Sequence, residues 1–162
     1  MLASLLLLAG CAGMSAEAPS ADWFDGAVLE IRKPLPVAAE QQSLRFQYGR
    51  ASDQRHATVW DEQCRLILAR PPAQAGTVGP GRYRVLRVTR TDLPLSRYSF
   101  VRSTRLWLQT LEGTPVEALE CERAYEHPMS LRAEDPLELT PDAVRQALGA
   151  SFRLVSPRAS DL

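Results

Sequence analysis

The sequence predicts a mainly β protein, an antiparallel sandwich or partly open barrel with one short C-terminal helix. Three observations predict it. Apolar and polar residues alternate in several short runs, turn-forming residues separate those runs, and one stretch near the C-terminus carries helix-capping signals. The size and composition fit a single domain: 162 residues, 45% hydrophobic and 23% charged, enough apolar surface for a real core. Twelve prolines weigh against long helices.

Taken in order, Leu29-Glu30-Ile31-Arg32 alternates and stops at Lys33-Pro34-Leu35-Pro36, whose prolines donate no ladder hydrogen bond. Leu44 to Tyr48 alternates without error, and Cys64 to Leu68 is strand-like. Arg82 to Val85 alternates, and Leu86-Arg87-Val88 continues in the opposite phase, which predicts a bulge. Arg105 to Gln109 and Leu119 to Tyr125 follow. Turns are expected at Gly76 to Gly81, at Asp92-Leu93-Pro94 and at Glu112-Gly113-Thr114-Pro115. The helix begins at Thr140, an N-cap residue, with Pro141 at the first helical position and Asp142 at the positive end of the dipole. Val144, Ala147 and Leu148 share one face, and Gly149 can take the left-handed stop. Two turns do not stand alone, so this helix should pack on the sheet. Phe152 to Val155 reads as a final strand or core-packing tail, and residues 156–162 as frayed. There is no internal repeat.

The charge totals carry a functional exclusion. Nineteen Lys+Arg balance nineteen Asp+Glu. A nucleic-acid partner, which calls for a strongly basic domain, is therefore not expected. The balance hides an asymmetry, because residues 82–105 hold seven arginines and one acid, whereas residues 112–142 hold nine acids and two arginines. Neighbouring strands with these charges would pair across their ladder. The sharper reading is a basic patch that meets anionic lipid headgroups or an acidic partner.

The N-terminus carries an address. Leu2 to Gly10 are apolar or small, include four consecutive leucines and precede Cys11. Nine such residues are too few to span a bilayer, which takes roughly 20, but they suit the apolar core of an export signal. Leu8-Ala9-Gly10-Cys11 resembles the lipobox of bacterial lipoproteins. The resemblance implies cleavage before Cys11, which would then carry a diacylglycerol thioether and an amide-linked fatty acid. Met1 to Ser4 lack the Lys or Arg with which such signals begin, as a start placed too far downstream would explain. The bland alternative is a core cysteine in an apolar strand. Ala12, where Asp would imply inner-membrane retention, points by the same resemblance to the outer membrane, periplasmic face, with the inner membrane second. The expected organisation is a signal over 1–10, an acylated cysteine and tether over 11–22, one β-rich domain over 23–155 and a tail over 156–162. Residues 12–22 are small and polar, and eleven such residues reach roughly 18 Å as a random chain.

Export leaves Cys64 and Cys121 as an even pair in an oxidising compartment, which predicts a disulfide between them. Two separate buried thiols or a metal site are the rival readings. Neither His56 nor His127 stands at ligand spacing from a cysteine, so no metal and no cofactor is expected.

Catalytic signals are weak. His56 lies near Asp53 and Asp61, the elements of a His–carboxylate pair, but no Gly-x-Ser-x-Gly or Ser-x-x-Lys accompanies it. Both histidines sit beside polar or turn residues and read as surface groups. Gly79-Pro80-Gly81 lacks the Lys and hydroxyl of a phosphate loop and reads as a turn. Trp60 and Trp107 are expected in the core, and Trp23, where the tether ends, at a lipid interface.

Four segments extend the resemblance beyond the lipobox: Gln47-Tyr48-Gly49-Arg50, Asp61-Glu62-Gln63-Cys64, Pro80 to Val85, and Leu139-Thr140-Pro141 through Ala147 to Phe152. They resemble a group of small proteobacterial lipoproteins of unknown function. These motifs are turns, a cysteine and a capped helix, so the resemblance implies compartment and a single domain and lends no activity. The expected role is a non-enzymatic envelope module, bound to the bilayer through Cys11 and touching an unidentified envelope protein. Two alternatives stand beside it. One is a periplasmic hydrolase of cell-wall sugar or peptide built on His56 and nearby acids. The other is a small-ligand or lipid carrier, whose interior would hold an apolar cavity of several hundred Å³.

Overall fold

The computed structural model describes residues 23–52, 57–126 and 138–157. Ten strands and one helix occupy them. The first five strands are β1 (Val28–Ile31), β2 (Leu35–Val37), β3 (Ser43–Gln47), β4 (Arg50–Ala51) and β5 (Gln63–Leu68). After β6 (Gly76–Val78) come three long strands, β7 (Gly81–Pro94), β8 (Ser99–Glu112) and β9 (Val116–Glu126). Helix α1 (Pro141–Leu148) runs through a 3₁₀ turn (Gly149–Ser151) into β10 (Phe152–Val155). Eight strands form one sheet in the order β10-β1-β7-β8-β9-β5-β3-β4, while β2 and β6 pair separately. Every ladder is antiparallel. The sheet curls into a half-barrel, and α1 lies against β3, β5 and β10 across the opening. Of the two architectures expected, the partly open barrel is the one adopted.

Why the sheet curls inward follows from its register. Directly opposed residues share a face. One row across the sheet reads Leu44, Leu66, Leu119, Leu106, Val88, and apart from the half-buried Val88 every member is buried. Tyr83 and Val85 extend this face on β7, and α1 adds Val144, Ala147 and Leu148. Thr140 caps the helix through its Oγ1, which accepts the Ala143 N–H at 3.1 Å. Phe46 on β3 meets Phe152 on β10 edge-to-face, 4.9 Å between centroids, so the two ends of the sheet touch through aromatic rings. The predicted bulge in β7 is present: Val85 opposes Leu108 and Arg87 opposes Trp107, with Leu86 extruded and 56% exposed.

Some expectations need correction. Strand β1 stops at Ile31, ahead of Lys33-Pro34-Leu35-Pro36 as expected, but a new strand starts there: Leu35 and Val37 bury their side chains while Pro36 opposes Thr77 in the small β2–β6 pair. A two-stranded pair has edges on both sides, where a missing N–H is tolerated. Asp92-Leu93-Pro94 is strand, not turn, since Asp92 opposes Arg102 and binds it at 2.9 Å. The reversal comes at Leu95–Tyr98, where the Ser96 Oγ accepts the Tyr98 and Ser99 N–H groups. Trp60 is 46% exposed, outside the core. Trp107 is half-buried, with the Arg87 and Arg105 guanidinium groups 4.5 and 5.2 Å from its ring centroid.

Candidate functional site

Cys64 and Cys121 are directly opposed on β5 and β9, 4.0 Å apart at Cα, and form a disulfide. That separation belongs to the closer, non-hydrogen-bonded type of antiparallel pair. Both residues are buried at 1% exposure. The pairing expected from cysteine parity is thus a cross-strand staple in the middle of the sheet.

The charge asymmetry resolves into a network on the convex face. Glu120 on β9 opposes Arg65 on one side and Arg105 on the other. Its carboxylate accepts from Arg65 at 2.8 Å, Arg105 at 3.1 Å and Ser103 Oγ at 2.7 Å. Burial alone would push this carboxyl up, but the hydrogen bonds from Ser103, Arg105 and Arg65, with the Arg65 charge, hold it below the usual carboxylate range. Among the described residues no buried side-chain polar atom lacks a partner.

A small cleft of about 190 Å³ opens beside α1, lined by Tyr48, Asp61, Glu62, Arg123, Ala143 and Gln146 among others. One step beyond the Gln63–Glu122 pair, the register brings Glu62 beside Arg123 on the face that meets the helix. Burial pushes the Glu62 carboxyl up to about 7, against the opposing pull of the Arg123 charge. Tyr48, held at φ 52, donates its hydroxyl to Asp61 Oδ2 at the rim. The cleft offers two carboxyls, Asp61 and Glu62, of which Glu62 is held near neutrality, together with the Tyr48 hydroxyl and the Arg123 guanidinium.

A second feature lies at the far tip of β7 and β8. Strand β1 accompanies β7 only as far as the Gly26 N–H to Val85 carbonyl bond. From Thr89 to Tyr98 every residue is exposed, including Leu93 at 54%, Leu95 at 51% and Tyr98 at 55%. Residues 86–102 carry four arginines and one acid, a net charge of +3. The tip is both apolar and basic.

Of the residues singled out in the sequence, Leu8, Ala9, Gly10, Cys11, Asp53, His56 and His127 lie outside the described residues. Asp61 is exposed and bound by Tyr48. Trp23 packs edge-on against Phe24 at 5.3 Å and borders the core. The Glu62–Arg123 pairing escaped sequence reasoning, because only the β5–β9 register brings residues that far apart together. Among the described residues no helix is long and apolar enough to cross a membrane. No protein-family model, curated protein or solved structure matches the chain.

Proposed function

We propose that the chain is a lipid-anchored lipoprotein of the bacterial envelope, held at the periplasmic face of the outer membrane through Cys11, whose β-rich body works by contact rather than catalysis. The disulfide carries this reading. Two thiols buried in the centre of a sheet and joined to each other are the usual mark of a chain that matures in an oxidising compartment. The Leu8-Ala9-Gly10-Cys11 sequence supplies the matching route there.

The alternatives find less support. The half-barrel interior is occupied by Leu66, Tyr83, Val85, Leu106, Leu119 and Leu148, each at 1% exposure or less, where a carrier would hold its ligand. The hydrolase reading rests on His56, which lies outside the described residues.

Radiolabelled palmitate tests the anchor. Label should enter the wild type and be absent from Cys11→Ser, whose body should move from the membrane to the soluble fraction. An unlabelled wild type, or equal labelling of both, overturns the reading.

A further inference from the structure

We propose that the β7–β8 hairpin tip is a lipid-contact surface that rests on anionic headgroups of the bilayer holding the anchor. The inference builds on the lipoprotein reading and names what the body touches.

Direction is the first argument. Strand β1 runs antiparallel to β7, with Val28 opposite Arg84 and Ile31 opposite Gly81. The chain before β1 therefore approaches from the side toward which β7 runs, the side of the tip. The Gly26 N–H still bonds the Val85 carbonyl on that side, and a turn from Phe24 to Ala27 leads into the strand. The described chain thus enters β1 from the hairpin's side of the sheet.

Length is the second. The six residues from Thr89 to Pro94 carry the hairpin about 20 Å past Val88 at strand rise. The tether read from the sequence reaches roughly 18 Å as a random chain. The chain enters beside Val85, about 30 Å from Pro94 at strand rise, and eleven tether residues span at most about 40 Å, so a partly extended tether brings the tip to the headgroups.

The chemistry of the tip is the third. Leu93, Leu95 and Tyr98 are each more than half exposed, an unusual concentration of apolar surface at one reversal. Arg97 stands within that turn, its guanidinium 5.4 Å from the Tyr98 ring. Down the strands Arg102 pairs with Asp92 and Arg90 with Glu138, while Arg87 stacks on Trp107, which leaves Arg97 as the arginine of the reversal itself. Aliphatic and tyrosyl groups flanked by arginine suit the boundary between acyl chains and anionic headgroups. An acidic protein surface would satisfy the arginines and leave the leucines unexplained.

The test uses the mature acylated protein, reconstituted into vesicles of phosphatidylcholine alone or with phosphatidylglycerol, and read by limited chymotrypsin. Two exposed sites on the same hairpin serve as probe and reference: Tyr98 in the tip, and Leu111 at the opposite end. Each surface-adjacent arginine strengthens anionic binding by about fivefold, so cleavage after Tyr98 should slow at least about tenfold on the anionic vesicles. Cleavage after Leu111 should not change. The double variant Leu93→Asp/Arg97→Glu should lose the protection while still floating with vesicles and still carrying palmitate. Equal Tyr98 rates on both vesicle types overturn the proposal. So does protection that appears in detergent and rises with protein concentration, which would assign the tip to a second copy of the chain. Flotation and palmitate report the anchor, Tyr98 reports the tip, and the two readings fail separately.

Discussion

Glu62 shows how one side chain can work against the fold that holds it. Its carboxyl titrates near 7 in the folded protein because burial disfavours its charge, and Arg123 recovers only part of that loss. In the unfolded chain an ordinary glutamate titrates near 4.3. Between those values the folded state binds the extra proton, so stability falls as pH rises from about 4.3 to about 7 and is level again above. Glu62→Gln removes the charge with little change of shape. The variant should be more stable than wild type at pH 8, by about 1–3 kcal/mol, and the gain should vanish near pH 4. Urea midpoints at the two pH values measure it, and a gain that is equal at both would show that Glu62 is not protonated preferentially on folding. Glu120 has the opposite sign: its carboxyl is held low, so its contribution is present above the unfolded value and is lost in acid. The sequence showed both residues only as acids among nineteen. Burial and partners separate their roles, and those depend on the register of strands more than fifty residues apart.

At the scale of elements, local signals were the legible ones. Alternation located β1, β3, β5 and much of β7 to β9, and the phase change at Leu86 located the bulge, because side-chain period and face are local properties. Capping residues located α1 for the same reason. What stayed hidden is contact between elements. Gly149 takes φ 70 and ψ −163, outside the left-handed helical stop its position suggested. Close packing adds to the demand for glycine: a Cβ on Gly149 would lie 2.4 Å from the Gly49 Cα, in the turn between β3 and β4. Two backbones meet there, and the Gly49 N–H donates to the Ala147 carbonyl at 3.0 Å. Gly149→Ala should therefore cost about 3 kcal/mol, from backbone strain and overpacking together. Gly79→Ala, where nothing lies within 4 Å of the added carbon, should stay within about 0.5 kcal/mol of wild type. Equal urea midpoints for the two variants would mean that the helix end does not seal against the β3–β4 turn.

The whole molecule depends on a single seam. In the eight-stranded order, the β9–β5 ladder is where strands β10, β1, β7, β8 and β9 join β5, β3 and β4. That ladder is irregular, its register shifting between Ile67 and Leu68, and its strands lie far apart in the chain, so forming it closes a long loop. Helix α1 bridges the same two halves from the concave side by resting on β3, β5 and β10. The disulfide sits in this seam, its cysteines 57 positions apart in sequence. Restricting a loop of that size in the unfolded chain stabilises the fold by about 4 kcal/mol in the chain-entropy model. This is a large part of the 5–15 kcal/mol typical of a domain. Reductant should accordingly lower the urea midpoint of the wild type by that order. The double variant Cys64→Ala/Cys121→Ala should start near the reduced wild type and ignore reductant altogether. If reductant leaves the wild type unmoved while thiol titration shows both cysteines free, the seam holds without its staple, and the oxidising compartment loses its structural support.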